Sequence, residues 1–459
     1  MTDRDELERA LDYPWEKWAI FLHPAQRRIV ERDFAGPARV AGSAGTGKTI
    51  VALHRAVHVA RANPHARVLL TTFSKPLANA LLAKLRILIH HEPRLGERIE
   101  VAPLDEVGRR LYERSIGPAH FAPARVEFPP VDGFTPAFLQ SEWDQVVDAW
   151  QVDSWQSYRD VPRLGRRTRL SENQRRKLWT IFEKVRADFA ERGLVTRAGV
   201  FSRLQAVPYD FVVVDEAQDI GVAQLRFLAA SGAKLFFAGD LGQRIFQRPF
   251  SWKALGVDVR GRSSTLKVNY RTSHQIRSRA DRLLGEESVD VDGNVEERKG
   301  TVSVFNGPTP EIRVLPSSDA ERDAVADWLK GDPTDAAVFV RSDVEIPRAR
   351  AAVERAGLPF QVLDERVDTV PGKVAIATMH LAKGLEFRSV AVMACDEEIL
   401  PSQARIETTV DDGDLEEVYS TERYLLYVAC TRARDRLLVT GASPASEFLD
   451  DLLVARSSA

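Results

Sequence analysis

Gly42-Ser43-Ala44-Gly45-Thr46-Gly47-Lys48-Thr49 is the stretch on which the reading of this chain turns. It follows a short apolar run at 39–41 and precedes a helix-compatible stretch at 50–60, the strand–loop–helix setting that a GxxxxGK[ST] phosphate-binding loop requires. Each part of the pattern has a physical reason. Glycines let the backbone wrap closely round phosphate oxygens, and the loop N–H groups together with the helix N-terminus supply positive potential. Residues 42–47 are therefore expected to cradle the phosphates of ATP, Lys48 to reach the β- and γ-phosphates, and Thr49 to bind Mg²⁺.

A second stretch complements the first. Four apolar residues at 211–214 run into Asp215-Glu216-Ala217-Gln218-Asp219, so the acids stand at the C-terminal end of a buried strand, the edge where α/β sheets bind ligands. Asp215 is expected to hold the Mg²⁺, and Glu216 to polarise the water for in-line displacement at phosphorus.

Outward from these motifs, short β-rich runs alternate with helical periodicity, at 39–41, 68–73, 211–214 and 234–238, then at 265–268, 337–340, 374–378, 390–394 and 436–440. Alternation of this kind predicts α/β architecture: two parallel sheets, each covered by helices. Between the second and third runs lies a stretch with little strand signal, where apolar residues at 139–150 and 171–189 recur at three- and four-residue spacing. It predicts a helical insertion in the first α/β domain. The expected division is 1–106 with 205–263 for the first domain, 107–204 for the insertion and 264–459 for the second domain.

The bulk numbers agree with a multi-domain chain that needs no membrane. The 459 residues exceed one compact core; 44% are apolar and 28% charged. The net charge of -2 excludes a global positive field, so any nucleic-acid contact must come from local basic patches. Cys395 and Cys430 stand in apolar stretches without metal-ligand spacing and are expected to be buried thiols in a reducing compartment. The first eleven residues carry charges and no apolar signal core, and no apolar run reaches a membrane span, so a cytoplasmic location is expected.

With Asp215-Glu216-Ala217-Gln218-Asp219 the chain resembles the UvrD/PcrA/Rep-type superfamily 1A DNA helicases, and further motifs follow in the order of that family. Gln26, in Leu22-His23-Pro24-Ala25-Gln26-Arg27, is similar to the glutamine that reads adenine. Thr71-Thr72-Phe73-Ser74-Lys75 resembles motif Ia, which implies DNA contacts from Thr72 and Phe73. Gly239-Asp240-Leu241-Gly242-Gln243 resembles motif III, with Gln243 linking the γ-phosphate to the DNA path and Phe246 and Arg248 facing the strand. Asn269-Tyr270-Arg271 resembles motif IV, which implies adenine stacking by Tyr270 and a γ-phosphate contact by Arg271. In Thr378-Met379-His380-Leu381-Ala382-Lys383-Gly384-Leu385-Glu386-Phe387, similar to motif V, Thr378 and His380 would meet DNA while Gly384 and Glu386 face the nucleotide. Tyr427-Val428-Ala429-Cys430-Thr431-Arg432 resembles motif VI, with Arg432 as arginine finger. The resemblance implies two RecA-like domains and an ATP- and Mg²⁺-dependent 3′–5′ helicase acting on single-stranded and tailed double-stranded DNA.

The chain also departs from that pattern. Arg248 replaces a stacking tryptophan and Ile50 replaces an arginine near the base. Phe250 and Trp252 are alternative stacking groups, or core. Only ten residues separate Leu363 from Val374, where the family inserts an accessory domain called 2B, so that domain is expected to be absent. Seven basic residues at 163, 166, 167, 169, 175, 176 and 177, near Trp155, Tyr158 and Trp179, suit a phosphate backbone or a solvated surface. These departures motivate a second reading, a regulatory or defence NTPase signalling to a protein partner such as a nuclease.

Overall fold

The computed structural model describes residues 22–161, 170–239, 250–284, 300–364, 369–407 and 412–453, with the short pieces 287–289, 292, 295–297 and 409. Among them are the strands β1 (Ala38–Gly42), β2 (Val68–Thr72), β3 (Ile99–Pro103), β4 (Phe211–Val214), β5 (Lys234–Ala238) and β6 (Ser263–Leu266). They form one parallel sheet in the order β3-β2-β4-β5-β1-β6. Every residue of β1 and β2 is buried, because helices cover both faces and leave no solvated side for a polar alternation. On one face lie α1 (Pro24–Glu31), α2 (Lys48–Ala62) and α3 (Lys75–Leu88), packed through Val30, Val51, Leu53, Val57, Leu81 and Leu85.

A second parallel sheet comprises β7 (Glu311–Leu315), β8 (Ala336–Val340), β9 (Phe360–Val362), β10 (Val374–Thr378), β11 (Phe387–Val392) and β12 (Ala433–Ala442). Its order is β7-β12-β11-β8-β10-β9. The chain is thus α/β with two RecA-like parallel-sheet domains. Strand β9 pairs directly with β10, Phe360 opposite Val374, across the short connection where an accessory domain would enter.

Four strands differ from the sequence reading. The run at 265–268 was expected in the second sheet, yet Ser263–Leu266 pairs with β1 in the first, so the strand of the phosphate loop is flanked on both sides. An apolar run does not specify its partner when the neighbouring strand is more than two hundred residues away in sequence. Strands β3, β7 and β9 were not expected; all three are sheet edges, where Glu100, Glu311, Arg313 and Gln361 interrupt the apolar signal.

Between β3 and β4 the chain builds a largely helical body with its own core, including Phe138, Trp143, Tyr158, Trp179, Phe182 and Phe189. Of the expected helices, the later one is Glu172–Glu191, started by a capping box between Ser171 and Gln174. The earlier one is an α-helix at Pro136–Glu142 that widens into a π-turn at Trp143–Asp148. Short strands His120–Phe121 and Leu194–Val195 pair at the base of this body. Cys395 and Cys430 are free thiols buried in the second domain. Among the described residues no helix is long and apolar enough to cross a membrane.

A candidate active site in the cleft between the lobes

Strand β1 ends at Gly42 and α2 begins at Lys48, so the intervening loop opens at the carboxyl edge of the first sheet. Gly45 and Gly47 adopt left-handed φ angles of 79° and 85°. Their lack of a side chain serves packing as well as phosphate access: a Cβ on Gly45 would lie 2.5 Å from Oδ1 of Asn269, and one on Gly47 would lie 2.5 Å from Nε2 of Gln26. The Lys48 ammonium donates to the carbonyls of Gly42 at 2.5 Å and Ser43 at 3.0 Å, lying across the loop.

Gln26 is buried, and its amide is already engaged. Oε1 accepts from the backbone N–H of His23 at 2.9 Å, capping α1, while Nε2 donates to the carbonyl of Thr46 at 3.0 Å. Gln26 thereby ties α1 to the phosphate loop, a role beyond the expected reading of adenine. Tyr270 stands beside His23 with ring centroids 5.3 Å apart, and burial pushes its phenol pKa up.

The two carboxylates follow β4. The Thr49 hydroxyl is hydrogen-bonded to Asp215, so the two groups expected to hold Mg²⁺ already share a polar contact. Burial, and then the neighbouring Glu216 charge, raise the Asp215 pKa well above the carboxylate range. Burial would do the same to Glu216, but Lys383 and Lys48 outweigh it and hold its pKa low. Glu216 sits in the left-handed region at φ 53°, and Gln218 donates to its Oε2 at 2.5 Å.

The opposite wall comes from the second lobe. Arg271 pairs with Glu386, whose burial is outweighed by Arg271, Lys84 and Arg432, so that its pKa is lowered. Arg432 is buried and anchored by the carbonyl of Val428 at 3.0 Å and the Thr431 hydroxyl at 3.3 Å. Burial, then Arg271, lower its pKa to about 10, and the guanidinium remains charged at neutral pH. Gly384 has φ 82° and packs against Leu77 of α3.

Gln26, Ala44, Gly45, Gly47, Lys48, Thr49, Asp215 and Glu216 from one lobe, and Tyr270, Arg271, Gly384, Glu386 and Arg432 from the other, line this single cleft. Gln243, Phe246 and Arg248 lie outside the described residues, as do the basic residues at 163, 166, 167 and 169. Thr72 is fully buried, with no partner for its hydroxyl among the described residues, so it does not reach a surface where DNA could touch it. Phe73 is half-buried, Thr378 closes β10, and His380 is exposed just after it. Beside Thr378 and His380, Arg341 grips the buried Glu422 at 2.5 and 2.6 Å, and Arg405 shares that carboxylate at 2.9 Å. Arg341, Arg405, Glu422 and Asp343 are the charged groups that act on His380.

The aromatic candidates resolve toward packing. Phe250 and Trp252 are buried, Trp252 meeting Phe237 edge-on at 4.9 Å. Tyr158 and Trp179 stack on each other in the insertion core. Trp155 carries the Arg176 guanidinium 4.5 Å above its ring.

Three cleft residues went unassigned in the sequence. Asn269 donates to the Ala44 carbonyl at 2.9 Å and accepts from the N–H groups of Arg271 and Thr272, pinning the phosphate loop to the second-lobe wall. Lys84 shares a face of α3 with Leu77 and Leu81, a seven-residue spacing that was readable once α3 was placed at the cleft. Lys383 crosses from the second lobe to the first, where it pairs with Asp219 and lies 3.3 Å from Glu216. No local pattern announces a cross-lobe contact.

The glycine cradle, the Thr49–Asp215 contact and the surrounding cations fit a magnesium–nucleotide triphosphate. Fold and site together define a two-lobed P-loop protein with RecA-like domains. Residues 22–146 match the UvrD/REP helicase N-terminal domain and residues 354–443 the UvrD-like helicase C-terminal domain. Both matched stretches are domains of UvrD-like helicases. The ATP-dependent DNA helicase PcrA of Staphylococcus epidermidis is 42% identical over 79 residues, 17% of this chain and 10% of that protein. DNA helicase II of Escherichia coli K12 is 40% identical over 104 residues, 23% of this chain and 13% of that protein. The matched stretches therefore span well under a fifth of the length of these relatives. The C-terminal domain of a possible DNA helicase from Lactobacillus plantarum WCFS1 aligns with 40% of this chain and 93% of its own at 22% identity. Its TM-score of 0.28 is too low to support any structural inference.

Proposed function

We propose that this chain is an ATP-hydrolysing motor that moves 3′ to 5′ along single-stranded DNA and separates tailed duplex. The observation that carries the reading is the convergence of Lys48, Thr49, Asp215 and Glu216 with Arg271 and Arg432 across one cleft. Thr49 and Asp215 would hold Mg²⁺, which when bound neutralises charge on the phosphate oxygens. Glu216 orients a water and accepts its proton; the water oxygen bonds to the γ-phosphorus as the bond to the β–γ bridging oxygen breaks, and ADP and phosphate leave. Arg271 and Arg432 stabilise the charge spreading over the transferred group. Loss of that anion removes what holds the arginine wall to the Lys48 wall, so the lobes part. The resulting opening and closing would draw a strand past Phe73, Phe246, Arg248, Thr378 and His380.

ATPase rates with and without a single-stranded oligonucleotide test this reading. A rate that rises with DNA is expected; equal rates overturn it. The short β9–β10 connection favours a second reading, in which regulation that relatives draw from domain 2B comes from a protein partner such as a nuclease. A stable complex combined with negligible DNA binding would favour that alternative. A cytoplasmic location follows from either reading.

A further inference from the structure

We propose that Lys383 is a positioning residue: its ammonium holds Glu216 out of use until single-stranded DNA engages the turn that carries it. The inference rests on the DNA-motor reading above and adds to it the atom through which DNA would switch on hydrolysis.

Three observations converge on this side chain. Lys383 reaches from the turn after β10 into the first lobe, where it is 6% exposed, pairs with Asp219 and lies 3.3 Å from Oε2 of Glu216. That same oxygen accepts the Gln218 amide at 2.5 Å. An ammonium and an amide on that oxygen leave Oε1 alone to orient a water and make the carboxylate a weaker acceptor of its proton. The ammonium also sits 5.2 Å above the ring of Phe73, the residue that directly follows β2. The face of that ring is the surface on which a base would stack.

The position of Lys383 in the chain supplies the coupling. Thr378 and His380 lie five and three residues before it in one compact turn, and Gly384 follows it against Leu77. A strand bound at Thr378 and His380 shifts the turn, and a base stacked on Phe73 takes the ring face that the ammonium occupies. Both displace the cation from Glu216. Two discrete arrangements of one side chain, each favoured by one ligand state, are what a coupling between sites requires.

The test compares wild type with Lys383→Met, which keeps the aliphatic stem over Phe73 and loses only the charge, and with Lys383→Arg, which keeps a cation. Steady-state kcat is measured with and without saturating oligonucleotide, and a thermal melt establishes that each variant is folded. Because general-base catalysis is typically worth on the order of 10²–10⁴-fold, the DNA-free kcat of Lys383→Met is expected to rise about tenfold or more, collapsing the stimulation ratio. Lys383→Arg should restore most of that ratio. A DNA-free kcat in Lys383→Met that stays level or falls while the wild type remains stimulated overturns the latch alone, because a lobe clamp or a phosphate ligand would lower both rates. A wild type indifferent to DNA overturns the motor reading and the latch with it. Should Lys383→Met not fold, Lys383→Gln serves for the same comparison.

Discussion

Glu216 occupies a backbone conformation that a residue with a side chain seldom takes, φ 53°, two residues beyond the end of β4. Left-handed non-glycine positions cost about 1–3 kcal/mol and persist where the surroundings over-determine them. Here Gly239 provides the room: a Cβ on it would come within 2.5 Å of the Gln218 side chain and 3.0 Å of the Ala217 nitrogen. The turn therefore aims Glu216 into the cleft. Glu216→Gln keeps the shape and removes the base, so kcat for ATP should fall by roughly 10²–10⁴-fold with KM little changed. A variant with wild-type kcat would remove Glu216 from the reaction. Asn269 acts differently, since its three hydrogen bonds hold the loop against the second-lobe wall without touching a position where phosphate would react.

At the scale of the element, the π-turn Trp143–Asp148 decides how the insertion is tied down. It ends on Asp148, whose Oδ1 accepts from both the Thr196 hydroxyl and the Gln151 amide, the second at 2.7 Å; Gln151 itself is left-handed at φ 51°. Burial pushes the Asp148 carboxyl up to about 6, the hydrogen bonds from Thr196 and Gln151 opposing it only in part, with Asp144 and Arg186 the nearby charges. In the unfolded chain this group titrates near pH 4 (about 3.9). Between the two values the native state holds a proton that the unfolded state has lost, so stability falls as pH rises from about 4 to about 6, and the deficit persists above that range. Asp148→Asn can keep both hydrogen bonds at Oδ1 and carries no charge. It should be more stable than wild type by about 3 kcal/mol at pH 8, the gap shrinking toward zero near pH 4. Urea unfolding followed by the fluorescence of Trp143, Trp150, Trp155 and Trp179 at several pH values measures it; a gap independent of pH would rule the explanation out.

For the whole molecule, both lobes line the cleft proposed to take the nucleotide, and Arg341 and Arg405 share the Glu422 carboxylate near Thr378. The proposed direction of travel belongs to this scale, because polarity depends on which lobe leads. A duplex with a 3′ single-stranded tail should be unwound in an ATP-dependent way, while the 5′-tailed duplex should remain paired. Unwinding of the 5′-tailed substrate alone would reverse the proposed polarity. The short link between β9 and β10 leaves no domain at that point to brake or assist strand separation. Unwinding is accordingly expected to be weaker than translocation along single strands.

The cleft proposed for the nucleotide was legible in the sequence because its chemistry demands residues in tight local order. Gly42 to Thr49 and Asp215-Glu216 each compress a strand end, a turn and a set of polar groups into a few positions, and such short-range geometry survives without tertiary information. Alternating runs likewise announced two parallel sheets, since strands buried on both faces are written as unbroken apolar stretches. Partners at long range were another matter. That Ser263–Leu266 completes the first sheet, that Tyr158, Trp179, Phe250 and Trp252 are core, and that Gln26 braces the phosphate loop were decided only on folding. Lys383 shows why: its neighbours Phe73, Glu216 and Asp219 lie more than 160 residues away, and only the packing of one lobe on the other brings a lone lysine to them.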